Sequence, residues 1–480
     1  MFENLKKGLL FSAFGKFSTT IITLIINAVL SRLLTPNDYG VVAVMQVFIT
    51  FFQLIVEAGL GPAIIQNKDL TDDDVAVIFN YSIVLASFLA VFFGFFGIVI
   101  ASLYGDPIYI KLSWIQSIAI LFNGLSIVPV ASLNKKKNFK QVNFNLVLAS
   151  FMGGIVGILS ALNGAGVYSL LLSSITIAVT QFVKSFIDAK MTLTRSWSIA
   201  PIKSIYQYSI NQFGFNFVNY FSRNADNLLV GKVLGSSQLG YYSKAYQLLM
   251  MPNSVLLGVI TPILHPILSD YQDDVVMIRK YYLKLVRMLA LVGFSLSVFL
   301  SIFGRNVILF IFGSQWGASV IPFQILSLTV WIQMTLSSTG AVFQARNKTK
   351  ELFYTGVIST IILVTSINIG IAFGNLTTLA ISLSIGFLIN FIVSYYRVMK
   401  LVLHSKLSLL IRELKTPVLV AIIEAPCLLT IKWVTRSWNS DFLVLLVSGS
   451  IFIVLFILAI YFTGELKKTI DLFKRESELK

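Results

Sequence analysis

Apolar stretches of about twenty residues recur along almost the whole chain, and they limit its possible folds more than any other feature. A helix needs about 20 apolar residues to cross the hydrocarbon core of a bilayer. By this measure the sequence predicts about fourteen spans, and the short loops between them leave no room for a soluble domain. The predicted spans are 8–30, 41–65, 75–103, 112–133, 142–162, 164–187, 208–231, 239–266, 282–304, 317–340, 352–373, 376–396, 415–432 and 441–463.

The amino-acid composition supports the same class. Of the 480 residues, 56% are hydrophobic and only 12% are charged, whereas soluble domains carry about 25% charged residues. A chain of this length cannot bury so much apolar surface in water, so it needs lipid as its solvent. The sequence therefore predicts an all-α integral membrane protein.

The net charge of +16 could indicate nucleic-acid binding, but the positions of the basic residues argue against it. With the N-terminus inside the cell, 28 of the 37 Lys and Arg residues fall on the cytoplasmic side and 6 on the outer side. The short cytoplasmic loops of membrane proteins carry such an excess. We therefore expect both termini to be cytoplasmic and expect no nucleic-acid partner.

The sequence lacks the residue patterns of common catalytic and cofactor sites. Cys427 is the single cysteine, and His265 and His404 are isolated in the sequence, so we predict no metal site based on cysteine or histidine. No Gly-Lys pair has the flanking Gly and Ser/Thr of a phosphate-binding loop. We predict no catalytic residue, no metal and no cofactor.

An internal duplication is suggested by matching residues at similar places in two halves of the chain. The offsets grow from 200 through 208 to 213 residues, and each unit holds six spans, so the two units share one orientation. We expect two parallel six-helix lobes around a central cavity, at 1–200 and 201–400, followed by two extra helices and a tail at 401–480. The matching pairs are Leu34 and Leu234, Gly40 and Gly240, Gly105 and Gly313, Gln116 and Gln324, and Asn134 and Asn347.

Two repeat-related spans each carry polar residues at helical spacing, so each presents a polar stripe on one face. Polar groups inside a bilayer usually face a bundle interior or a watery cavity. Because cations outnumber carboxylates near these stripes, we expect the central cavity to be cationic and its substrate to carry an anionic headgroup. The predicted substrate-binding residues are Lys16, Thr23, Asn27, Arg32, Asn216, Asn219, Arg223, Asn227 and Lys244.

Two carboxylates beside these stripes, Glu57 and Asp226, are predicted to take part in ion coupling. Structural alternatives stay open for several of the charged residues. Lys16 and Lys244 could extend their ammonium groups to the membrane interface. Arg223 and Asp226, three residues apart, could form an ion pair that stabilises the bundle.

An acidic run follows Thr71 and could suggest the metal–nucleotide site of a sugar transferase. Thr71 also stands just before the third predicted span, with Asp72, Asp73 and Asp74 in its first turn. Threonine is a favourable N-cap, and acidic side chains interact favourably with a helix N-terminus. We therefore predict that Thr71 caps this span.

Three segments carry a resemblance to a known family: RLLTPNDYGVVAVMQVF with EAGLGPAIIQ, then GAGVYSLLLSS, then NADNLLVGKVLGSSQLGYYSKAYQLLMMP. They resemble Wzx-type polysaccharide flippases of the multidrug/oligosaccharidyl-lipid/polysaccharide exporter superfamily. The resemblance implies alternating access in a bacterial cytoplasmic membrane and export of an isoprenoid-diphosphate-linked oligosaccharide for exopolysaccharide, capsule or teichuronic acid. It also implies membrane lipids, a polysaccharide polymerase and chain-length machinery as partners.

Other functions remain open at this stage. A cation-coupled multidrug exporter of the same superfamily would favour an acidic cavity, which the surplus of cations argues against. A membrane polysaccharide polymerase or ligase would need a large outer loop, and the sequence predicts none. A structural scaffold would leave the charges inside the spans unexplained.

Overall fold

The chain folds into helices throughout the part described by the computed structural model, which comprises residues 2–57, 60–203, 220, 224–270 and 274–464. The predicted all-α class is confirmed, because no strand occurs among these residues. The helices up to residue 270 are α1 (Phe2–Leu33), α2 (Pro36–Glu57), α3 (Leu60–Gln66), α4 (Asp72–Tyr104), α5 (Ile108–Lys135), α6 (Phe139–Leu162), α7 (Tyr168–Asp188), α8 (224–234) and α9 (Ser236–Asp270).

Further helices follow from residue 275 onward. They include three short helices between two long ones, and this arrangement interrupts a span that the sequence predicts as continuous. They are α10 (Val275–Phe312), α11 (Val320–Ser327), α12 (Val330–Leu336), α13 (Thr339–Ala345), α14 (Thr349–Ala372), α15 (Leu376–Arg397), α16 (Leu407–Thr435) and α17 (Asp441–Phe462).

Ten of the described helical segments are long and apolar enough to cross a membrane, which confirms the membrane class. A further pair of helical segments, Ser314–Ser327 and Val330–Ala345, is bent by 55° where the sequence predicts one span at 317–340. Thr329 at the break has a φ of −101°, outside the helical range. The other predicted spans, 8–30, 208–231 and 239–266, fall partly on residues or side chains outside the described part of the chain.

The chain divides into two compact units, Met1–Ser243 and Lys244–Lys480. In the first unit, α5 packs on α4 and α7, while α6 packs on α7 and α1. In the second unit, α10 is the central helix, because α11, α12, α16 and α17 all pack against it. The predicted lobes 1–200 and 201–400 and the C-terminal pair 401–480 stay predictions.

The predicted cap of the third span is confirmed. The Thr71 hydroxyl accepts a hydrogen bond from the Asp74 backbone N–H at 3.2 Å, and the Asp74 carboxylate accepts one from the Thr71 N–H at 3.0 Å. This reciprocal pair satisfies two N–H groups that the first turn of a helix leaves without partners. Asp72 pairs with Lys136 at 2.8 Å, which holds the start of α4 against the end of α5.

The turns that end corresponding helices repeat in geometry. Lys137 and Asn347 both adopt positive φ, 59° and 53°. In each case the next N–H donates back to a carbonyl five residues earlier, Asn138 to Leu133 and Lys348 to Phe343. These similar turns are 210 residues apart, and the predicted match of Asn134 with Asn347 stays a prediction.

The start of α2 crosses the start of α9 within the first unit, and glycines make the crossing possible. A Cβ atom at Gly40 would overlap the backbone carbonyl of Ser236, and a Cβ at Gly240 would overlap that of Pro36. The contact is reciprocal at an offset of 200 residues, as the predicted match of Gly40 with Gly240 requires. The Ser236 hydroxyl also hydrogen-bonds the Asn37 side chain there.

Candidate functional site

A cavity of about 360 Å³ with polar and apolar lining residues opens in the first unit among α2, α3, α5 and α7. Glu57, the last residue of α2, lines it together with Asn123 and Asn134 of α5 and Gln181 of α7. The described part of α2 ends at Glu57, and α3 begins at Leu60. The Glu57 side chain is exposed to this space.

Four of the five polar side chains of the cavity, Glu57, Asn123, Asn134 and Gln181, make no hydrogen bond or ion pair with any other described residue. The fifth, Ser126, donates to the Phe122 carbonyl at 2.7 Å. The cavity lining contains no Lys or Arg, so Glu57 is its single formal charge. A carboxylate with nearby amide oxygens offers ligands to a small cation, and the amides can also hydrogen-bond hydroxyl groups. We name this group of residues the Glu57 cavity.

The polar stripe on α1 follows one helical face where the structure describes it. The Asn27 amide donates to the Thr23 carbonyl at 2.9 Å, one turn earlier. Thr23 is exposed and Asn27 is half-buried, while Arg32 is exposed in the last turn of α1. The side chain of Lys16 lies outside the described residues.

Most of the second predicted stripe falls on residues that the structure does not describe. Asn216, Asn219 and Arg223 lie outside the described residues. The predicted ion pair of Arg223 with Asp226 therefore stays a prediction. Asn227 is described and half-buried in α8.

Asp226 is buried in α8 and accepts a hydrogen bond from the Tyr242 hydroxyl at 2.8 Å. A charge-assisted bond of this length is stronger than one between neutral groups. It ties α8 to the first turns of α9, and Tyr242 is a partner that the sequence does not predict. Asp226 is thus less accessible than Glu57, the other predicted coupling residue.

Lys244 is also buried, with only 2% of its surface exposed. Its ammonium nitrogen lies 4.8 Å from the centroid of the Phe312 ring and 5.7 Å from that of Trp316, both in the second unit. Aromatic faces attract cations at such distances. A substrate would have to displace these rings to contact Lys244.

Sequence reasoning missed the amides of the Glu57 cavity and one buried carboxyl, Glu424. The signal for Glu424 was present, because it is a charged residue inside the predicted span 415–432, as Glu57 is inside 41–65. Asn123 and Gln181 are also polar residues inside predicted spans. Nothing in the sequence shows that helices α5 and α7 bring them together with Glu57.

Comparison with known proteins places the chain in a family. Residues 29–321 match the family described as polysaccharide biosynthesis protein, and the chain belongs to this family. Two similar proteins are the teichuronic acid biosynthesis protein TuaB of Bacillus subtilis (strain 168) and the lipopolysaccharide biosynthesis protein WzxC of Escherichia coli (strain K12). TuaB is 22% identical over 87% of each chain. WzxC is also 22% identical, over 81% of this chain and 80% of its own.

Solved membrane transporters share the fold. The lipid II flippase MurJ in an inward closed conformation matches with a TM-score of 0.72 and 16% identity, covering 95% of this chain and 99% of its own. An outward-facing multidrug resistance MATE family transporter of the MOP superfamily matches with a TM-score of 0.55 and 16% identity, over 82% of this chain and 94% of its own. At these identities the likeness concerns the fold alone.

Proposed function

We propose that this member of the polysaccharide biosynthesis protein family is a flippase for an isoprenoid-diphosphate-linked oligosaccharide. The observation that carries the proposal is that a family named for polysaccharide biosynthesis combines here with a transporter fold similar over 95% of the chain to a lipid II flippase. TuaB and WzxC are both named for the biosynthesis of cell-surface polymers. The multidrug transporter is a more distant match in fold, with a TM-score of 0.55.

The physical problem of moving such a substrate fits the residues of the chain. A sugar diphosphate cannot cross lipid unaided, because its charges and hydroxyl groups would lose their contacts with water. In our proposal Lys16, Arg32 and Arg223 hold the diphosphate, and the amides and hydroxyls of the two polar stripes contact the sugars. Lys244 joins them only in a conformation that uncovers it from its aromatic rings.

This proposal prefers Glu57 to Asp226 as the residue that takes part in ion coupling. Glu57 lines a cavity and has no hydrogen bond with a described residue, so its carboxylate is available to an ion. Asp226 already accepts a hydrogen bond from Tyr242. Alternating access of the lobes around the substrate then transports the sugars outward.

The proposal also includes the orientation and the partners of the protein. Both termini lie in the cytoplasm, because this orientation puts the excess of Lys and Arg inside. The protein acts as a transporter and not as an enzyme, and it delivers its substrate to a polysaccharide polymerase and chain-length machinery at the outer side of the bacterial cytoplasmic membrane.

A flipping assay tests the proposal. Purified protein is placed in liposomes with a fluorescent, short-chain isoprenoid-diphosphate oligosaccharide, and the fraction exposed to an external quencher is followed. We expect protein-dependent transfer that Arg223→Ala abolishes. Arg223→Lys should retain only part of the transfer, because lysine lacks the planar fork of arginine. Glu57→Gln should transfer the substrate but no longer respond to an imposed proton or sodium gradient.

The control in this assay is Lys203→Ala, which removes an exposed cation outside the predicted stripes. Equal transfer by empty and protein-containing liposomes would refute the flippase. Transport of a cationic dye with no transfer of the lipid-linked sugar would support the multidrug alternative.

A further inference from the structure

Glu424 is a carboxyl group sealed inside the second unit. It lies in the middle of α16, and only 1% of its surface is exposed. Neither of its carboxyl oxygens has a hydrogen-bond partner among the described residues. Buried polar side chains almost always have such a partner, so this group requires an explanation.

The helices packed against α16 are α10 and α17. From α10, the hydroxyl of Ser295 faces the carboxyl of Glu424, and it too is buried without a hydrogen bond among the described residues. On α17 the buried Ser448 is likewise without a partner there. Of these two hydroxyl groups, the structure places that of Ser295 against Glu424.

The cations of α10 and α16 all lie at least eight residues along the chain from Ser295 or Glu424, and α17 contains none. Arg287 of α10 lies eight residues before Ser295, about 12 Å along the axis at the helical rise, and pairs with Glu413 at 3.0 Å. Arg305 lies ten residues beyond Ser295, about 15 Å along the axis.

The remaining charged groups near this level are also engaged elsewhere. Lys432, two turns beyond Glu424 on α16, donates to the Ile302 carbonyl. The charged residue of α17 is Asp441 in its first turn, where it accepts a hydrogen bond from Asn306 at 2.7 Å. An ionised Glu424 would thus be an isolated charge in low-dielectric surroundings, which is strongly unfavourable.

We propose that Glu424 is a proton-binding site, protonated in this conformation and facing Ser295, and that it releases its proton when α16 moves away from α10. A proton fits the surroundings better than a metal cation, which takes about six oxygen ligands. Glu424 and Ser295 provide three oxygens between them. As an acid, Glu424 carries no charge, and its hydroxyl can donate to Ser295.

The sequence of α16 provides a way for this segment to move. Pro417 and Pro426 both lie inside the helix, on either side of Glu424. Proline has no N–H, so Pro426 leaves the carbonyl of Ile422 without its helical hydrogen bond. Helices bend most readily at such positions, and in our proposal a bend there separates Glu424 from Ser295.

This inference adds to the proposed function a second acidic site, outside the Glu57 cavity and in helices beyond the predicted duplication. It rests on the proposed function only for its role in transport. Proton binding by Glu424 is a property of the folded protein and can be measured without any substrate.

The first test is labelling of the intact purified protein in liposomes with dicyclohexylcarbodiimide, an apolar reagent that modifies protonated carboxyl groups. We expect mass spectrometry to find the adduct on Glu424, at least tenfold faster at low pH than at high pH and at an unchanged rate when sodium replaces potassium. Glu413, on the same helix but paired with Arg287, is the internal control and should remain unlabelled.

Two results of this labelling would overturn the inference. Absence of an adduct on Glu424 at every pH, while the reagent labels other groups of the protein, would show that its carboxyl is not a protonated site. Protection by sodium at constant pH would show that the site holds a metal cation instead of a proton.

The second test compares transport by the wild type, Glu424→Gln and Glu413→Gln. Glutamine keeps the shape of the protonated acid, so we expect Glu424→Gln to fold and to flip substrate, but to lose at least tenfold of the stimulation by a proton gradient. Unchanged stimulation would reject a role in coupling. Wild-type protein that transfers no lipid-linked sugar would instead reject the proposed function, whatever the labelling of Glu424 shows.

Discussion

The two membrane-embedded carboxyl groups, Glu57 in the first unit and Glu424 in the second, differ in what surrounds them. Glu57 is exposed in a cavity of about 360 Å³ that three amide side chains share. Glu424 is 1% exposed and lies among packed helices without a hydrogen-bond partner in the described chain. The contrast shows that access, rather than residue type, decides how each carboxyl can act. In our proposals, Glu57 exchanges ions in the present conformation, whereas Glu424 does so only after a movement.

The largest difference between the two sites should appear when each carboxyl is replaced by a cation. Glu424→Lys places an ammonium group in a sealed space without an anion, so we expect the free energy of unfolding to fall by about 3–5 kcal/mol. Glu57→Lys reaches water in its cavity and should change it by less than about 0.5 kcal/mol. Thermal unfolding in detergent, followed by size-exclusion chromatography, measures both. Equal losses of stability would mean that the two sites do not differ in access.

A smaller effect on stability, of opposite sign, should follow when each glutamate is replaced by methionine, an apolar residue of similar shape. Glu424→Met removes a buried carboxyl group whose oxygens have no hydrogen-bond partner among the described residues, so we expect the protein to gain about 1–3 kcal/mol of stability. Glu57→Met, the matched variant in the cavity, should leave stability almost unchanged. The same unfolding measurement gives the sign. A clear loss of stability in Glu424→Met would indicate that the buried carboxyl makes a favourable contact.

The smallest effect on stability should come from the amides around Glu57. Asn123→Ala and Gln181→Ala remove side chains without hydrogen bonds to described residues, so we expect each to cost less than about 0.5 kcal/mol. Asn145→Ala is the contrasting control, because the Asn145 amide donates to Asp188 at 2.9 Å and is fully buried. It should cost about 1–3 kcal/mol. A cost at Asn123 or Gln181 as large as at Asn145 would show that these amides hold the first unit together.

The sequence was sufficient to predict the class of the fold, because so many long apolar stretches cannot all be buried from water in a soluble protein and are stable only as helices in a membrane. It also predicted the cap at Thr71, since a capping box depends on residues only three positions apart. The predicted helix ends agree less well with those in the structure. The span predicted at 112–133 lies within the longer helix α5, Ile108–Lys135, because a helix can continue past the hydrocarbon core that the apolar pattern measures.

The bend in the predicted span 317–340 was not predicted, because a hydropathy pattern records how apolar a segment is and not its direction. The left-handed backbone of Lys137 and Asn347 was not predicted either, because it depends on where the preceding helix ends.

Individual residues of the candidate site could be predicted from the sequence, but most of the contacts between them could not. Spacing identified Thr23 and Asn27 as neighbours on one face, and their hydrogen bond agrees with it. The burial of Lys244 by Phe312 and Trp316 depends on residues about seventy positions later in the chain. No local pattern contains that contact, and the same holds for the amides that meet at Glu57.

The reciprocal glycine crossing of α2 and α9 has a consequence for how the chain can change during evolution. At Gly40 and at Gly240 the atom that excludes a side chain is a backbone oxygen, not the side chain of the other glycine. A mutation at one position therefore has no compensating mutation at the other, because every residue type carries the same carbonyl. A second mutation at the facing glycine cannot rescue either site, so homologues that retain this crossing must keep both glycines.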